Sequence, residues 1–200
     1  MGKTTQRKHD LEYFTIEKIE QVVRAGDQVL LKSPKPNEPP YVARVDKLES
    51  NFKRNGKVEV KARVQWYYKP EDTSQGRKDY HGTKELFLSN HYDTQSVDCI
   101  LGKCTVHSFR DYVKLGNVGD EEFYCRFEYN AVTEQFTLGD SDWSCICGRL
   151  YNPDHSPAAQ MMVQCYGCKL RSEINHSICK DHVKMDSTFR RNVKMKHVLP

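Results

Sequence analysis

The 200-residue chain carries 31 Lys and Arg against 27 Asp and Glu, a formal net charge of +4. So mild a surplus suits a partner of mixed charge in an acidic setting such as chromatin, and is too small to argue for bulk nucleic-acid binding. A hydrophobic share of 38% with 10% aromatics is enough for one medium domain and a small one. No apolar run approaches the roughly eighteen residues of a membrane span, and no apolar segment follows the polar N-terminus, so no membrane partner is expected and the chain is expected to stay inside the cell.

Residues 1–20, with Lys3, Arg7 and Lys8, read as a flexible basic tail. Gly26 and Asp27 then open a short strand over residues 28–32, and residues 34–40 form a proline-rich loop. The next strand covers residues 41–48. Tyr41 follows Pro39 and Pro40 directly, so a stiff loop fixes where its ring begins.

Residues 57–72 hold the clearest pattern. Val58, Val60, Ala62, Val64, Trp66 and Tyr68 alternate with Glu59, Lys61, Arg63, Gln65 and Tyr67, the period of a half-buried strand. Asn55 and Gly56 before it are a hairpin signal, and Pro70 ends the ladder by removing a donor. Aromatics at a strand exit suit ordinary core. They also suit a cage for a methylated ammonium, which ring faces attract by about 0.5 to 2 kcal/mol per favourable contact, provided the rings converge from separate segments. Tyr41 is the candidate third wall beside Trp66 and Tyr68.

Residues 72–80 form a polar loop, and residues 84–89 a short buried segment. In the turn-like stretch after it, His91 and Asp93 either hydrogen-bond a ligand backbone or satisfy the turn itself. Residues 103–108 and 123–129 complete about six strands, with a turn or short helix over 109–115 between them. The chain is therefore mainly β, arranged as a distorted barrel or packed sheets.

Of eight cysteines, Cys99, Cys104 and Cys125 are scattered among strands as small buried residues, whereas five fall between positions 145 and 179. Cys145 and Cys147, Cys165 and Cys168, then His176 and Cys179 have the rhythm of a cross-braced finger. Thiolates and an imidazole in close pairs suit tetrahedral zinc.

Residues 26–30, 41–45, 64–72, 84–89 and 100–106, in that order, resemble a bromo-adjacent homology (BAH) domain over residues 21–138. The whole chain is similar to the small plant BAH–PHD proteins of the Short Life and Early Bolting in Short Days type. The resemblance implies a nuclear, non-catalytic chromatin reader that binds the histone H3 tail, trimethylated at lysine 27, in support of transcriptional repression. It places Tyr41, Trp66 and Tyr68 in the cage, and His91 and Asp93 beside the peptide. Over residues 142–200 it implies a truncated, degenerate PHD-like zinc finger with a basic tail. Cys145, Cys147, His176 and Cys179 would share one zinc, and Cys165 and Cys168 would open a second site. The sequence departs from that pattern, since the closing cysteine pair is missing and Ile174 stands where a tryptophan is expected. Only His182 or His197 is left to complete the second site, so a one-zinc remnant is expected. Tyr151 keeps its family place, and residues 161–164 could still pair with a peptide strand, although a partly folded remnant that binds no tail is the expected state.

The alternative is a nucleic-acid-binding adaptor using the basic tails, Arg63 and exposed aromatics, indifferent to lysine methylation and steeply salt-dependent. There is no Gly-rich phosphate loop, no GxSxG elbow and no HExxH, so neither catalysis nor a small-molecule substrate is expected.

Overall fold

Thirteen strands run through the described residues of the computed structural model, which are 8–52, 57–138, 152–154, 162–164, 171–173 and 196–197. The central ones are β4 (Gln28–Leu31), β5 (Tyr41–Phe52), β6 (Val58–Tyr68), β7 (Glu85–Ser96), β8 (Ile100–Ser108) and β9 (Glu122–Asn130). They pair in the order β5, β4, β8, β9, β7, β6, and β6 pairs back onto β5, which closes the sheet into a barrel. β9 lies parallel to both β7 and β8, whereas the other pairs of the ring are antiparallel. β10 (Gln135–Leu138) adds to β9, and a single-turn helix α1 (Phe109–Tyr112), capped by the Ser108 side chain, bridges β8 to the outer loop.

The alternation read in β6 explains the first core cluster. Ala62 and Val64 face Val29, Leu31, Ala43, Val45 and Leu48 with no more than 1% exposure each, and Val97 and Ile100 close the end. Two features depart from the simple two-faced strand. Val58 is 53% exposed, and Tyr67, expected on the polar face, packs with Val42, Leu86 and Cys104 in another cluster. Gln65 is also buried. The far end of β6 thus packs side chains on both faces, Trp66 into one cluster and Tyr67 into another.

Two strands lie within residues 8–20, where a flexible tail was expected over 1–20. β1 (Lys8–Leu11) pairs antiparallel with residues 48–51 of β5, and β2 (Tyr13–Ile16) forms a hairpin with β3 (Gln21–Arg24). The buried segment expected over 84–89 is the first half of the twelve-residue β7, so His91 and Asp93 stand in a strand instead of a turn. Asn55 and Gly56 lie outside the described residues.

Glu85 and Arg126 make a fully buried, bidentate ion pair between β7 and β9, at 2.6 and 2.9 Å. The hydroxyl of Tyr124 and the amide of Gly82 also donate to Glu85 Oε2, and the guanidinium lies 4.6 Å from the Phe109 ring centroid. Each buried charge is therefore met by several partners, the condition under which such a pair is tolerated.

Candidate functional site

The β5–β6 ladder pairs Val45 with Val64 and Ala43 with Trp66. Trp66 and Tyr68 stand two apart on β6 and so project from one face, and Tyr41 at the start of β5 meets Trp66 there. The three rings are half-buried. Tyr41 and Trp66 meet edge to face, with centroids 6.0 Å apart and planes at 86°, forming a right-angled corner. The Tyr41 hydroxyl donates to Glu38 at 3.4 Å, which ties the ring to the proline-rich loop. Glu38 in turn accepts from Lys35 at 3.1 Å, and that contact holds its carboxyl below the usual range.

Tyr68 is placed by a different set of neighbours. Its hydroxyl lies 2.9 Å from Nδ1 of His91, with ring centroids 6.1 Å apart, and Tyr129 backs it at 5.3 Å. Burial, then the neighbouring Tyr129 and Asp72, push the Tyr68 phenol upward, so it stays neutral at physiological pH. His91 therefore joins the aromatic set directly. Asp93 does not, because its carboxylate accepts locally from the Thr94 amide at 2.7 Å and the Gln95 side chain at 2.6 Å. Both residues are exposed on β7, where an extended peptide could meet them.

Beneath the rings runs a hydrogen-bonded relay that no sequence motif announces. Arg44 donates to Gln65 Oε1 at 2.7 Å, and Gln65 Nε2 donates to the Ser89 carbonyl at 2.7 Å. The Ser89 hydroxyl donates to the Trp66 carbonyl at 2.8 Å and accepts from the His91 amide at 3.1 Å. Gln65 belonged to the expected polar face, and Ser89 closed an expected apolar segment. A polar residue ending a buried strand was the available signal for Ser89.

Arg63 and the exposed aromatic Tyr92, by contrast, engage each other. The guanidinium stacks 4.6 Å from the Tyr92 centroid and pairs with Asp46 at 3.1 Å. The expected zinc ligands Cys145, Cys147, Cys165, Cys168, His176 and Cys179 lie outside the described residues, as do Tyr151, Ile174 and His182. β11 (Met162–Gln164) is described, and both its edges are taken, by β12 (Arg171–Glu173) and β13 (Lys196–His197). The edge that could have paired with a peptide is therefore occupied by the chain itself, because a strand has only two edges to offer.

Residues 21–138 match the BAH domain family. The chain belongs to the BAH-domain family. This BAH protein is 49% identical over 168 residues to the chromatin remodeling protein EBS of Arabidopsis thaliana, covering 84% of this chain and 68% of that one. It is 42% identical over 179 residues to the chromatin remodeling protein SHL of the same plant, covering 90% and 74%. Origin of replication complex subunit 1B, also from Arabidopsis thaliana, matches at 31% over 143 residues, or 61% of this chain and 17% of that protein. Among solved structures, the yeast Rsc2 BAH domain shares the fold with a TM-score of 0.50 at 24% identity. That match covers 65% of this chain and 54% of that one. The family match begins at Gln21, so β1 and β2 of this chain precede it and brace the BAH barrel from outside the matched span.

Proposed function

We propose that this BAH domain reads a methylated lysine on the tail of histone H3, preferring trimethylated lysine 27, as part of a nuclear protein that supports transcriptional repression. The carrying observation is the right-angled Tyr41–Trp66 corner on the same strand face as Tyr68, half-open to solvent. Trimethylation removes the ammonium's donors and lowers its hydration cost, so ring faces gain on the modified side chain relative to the free amine. The peptide would lie extended beside the exposed second half of β7, where His91 and Asp93 fix its register. The names of EBS and SHL support a chromatin role, and the origin-complex relatives support a nuclear one. The competing nucleic-acid reading has less support, since Arg63 and Tyr92 already satisfy each other and Asp46.

For the C-terminal segment we propose one bound zinc. The donor set of Cys145, Cys147, His176 and Cys179 has the three thiolates and one imidazole that tetrahedral zinc takes in structural sites, and that metal would hold the segment together.

In the full chain, Trp66→Ala and Tyr41→Ala should each lower affinity for the trimethylated peptide by about tenfold or more, with the far-ultraviolet spectrum unchanged. Discrimination between trimethylated and unmodified lysine should vanish with Trp66. A folded Trp66→Ala protein that still discriminates would contradict the cage.

A further inference from the structure

We infer that Ser89 is a positioning residue for the aromatic site, acting through the Trp66 carbonyl and the His91 amide, with the buried Gln65 and the half-buried Arg44 as its support. The functional consequence rests on the methyl-lysine reading above. The positioning does not.

The β6–β7 ladder pairs Gln65 with Tyr92 and next pairs Tyr67 with Leu88. One residue of β6, Trp66, therefore faces three of β7, namely Ser89, Asn90 and His91. An irregularity of this size breaks the regular exchange of backbone hydrogen bonds and re-aims side chains. Here it falls between two aromatic positions of the site. A carbonyl and an amide that the irregular ladder leaves without strand partners need another, and here both bonds run to the buried Ser89 side chain. The Ser89 hydroxyl answers both with one atom, donating to Trp66 and accepting from His91. On the outer side, Asn90 Oδ1 accepts from the Ala131 amide at 2.8 Å and pins the bulge to the turn between β9 and β10.

Each bond fixes something the site uses. Holding the Trp66 carbonyl sets the peptide plane that leads to Tyr67 and Tyr68. Holding the His91 amide sets the backbone from which the imidazole reaches the Tyr68 hydroxyl at 2.9 Å. Ser89 and Gln65 are 1% and 8% exposed, so neither is there for solubility. Ser89 touches no ligand in this arrangement. It keeps the Tyr41–Trp66 corner and the Tyr68–His91 pair in fixed relation, the kind of support on which preorganised recognition depends.

Two readouts on the full chain test this. In the free protein, nitrogen-detected NMR of the His91 ring reports whether Nδ1 is engaged by a hydroxyl. Ser89→Ala should shift that signature towards a solvent-exposed imidazole, and Ser89→Thr, which keeps the hydroxyl, should preserve it. In titrations with a trimethylated lysine 27 peptide of histone H3, Ser89→Ala should bind about tenfold more weakly and Ser89→Thr within about threefold of wild type. Should Ser89→Ala fail to fold, Gln65→Met decides. It removes the bond to the Ser89 carbonyl at similar volume and should move the His91 signature in the same direction. A folded Ser89→Ala, or failing that Gln65→Met, with the wild-type His91 signature would overturn the inference. If the wild-type chain binds no methylated peptide, the reader function fails while the His91 signature still decides the positioning.

Discussion

Trp66 and Tyr67 are neighbours in sequence and go to different clusters, one against Tyr41 and the other against Val42, Leu86 and Cys104. Strand parity in the sequence separates them correctly. It also suggests that Tyr67 is solvent-facing, which fails because the barrel wall is covered on both sides there. His81 shows the same blindness to tertiary setting. It is 9% exposed, its Nδ1 accepts from the Lys78 amide, and burial, aided by Arg126, Arg77 and Lys78, lowers its pKa to about 4. The unfolded chain, with an ordinary imidazole near pH 6.5, then takes up a proton before the folded one does. The His81 contribution is full above pH 6.5 and is lost as the pH falls from 6.5 to about 4, by at most about 3 kcal/mol. Denaturant titrations across that window should show a shallower slope for His81→Asn, which keeps an acceptor and removes the titration. Identical slopes for the two proteins would refute the assignment.

At the scale of elements, β6 was the most legible strand because eleven residues alternate, whereas β1, β2, β3 and β10 have four residues each and little apolar pattern. The second half of β7 reads as a turn for the same reason. Residues 90–96 are polar, and only pairing with β6 makes them a strand. The cage residues could be proposed from parity, proline placement and family resemblance, but the Ser89 relay could not, since it exists only once β7 bulges against β6. The Glu85–Arg126 pair joins β7 to β9, two parallel strands far apart in sequence. Arg126→Met should destabilise the fold by about 3 to 5 kcal/mol by leaving Glu85 buried and unpaired. Because burial already raises the Glu85 pKa against the pull of Arg126, that variant should raise it further. Replacing both residues with apolar ones should cost less than the sum of the single changes, read from a double-mutant cycle. Additive losses would show that the pair is not coupled.

The whole molecule joins a BAH barrel to a cysteine-rich C-terminal segment, for which one bound zinc is the proposal. Metal analysis of the purified full chain should return about one zinc per chain, and two tightly held zincs would contradict the single-site reading. Chelation should leave the barrel's thermal transition in place, because the ion pair, the aromatic corner and the Ser89 relay all lie within residues 38–131. The measurement that bears most directly on the central claim is a calorimetric titration of the full chain with histone H3 peptides carrying lysine 27 either unmodified or trimethylated. The cage predicts binding of the trimethylated peptide alone. Equal binding of the two, or none by a folded sample, would contradict it.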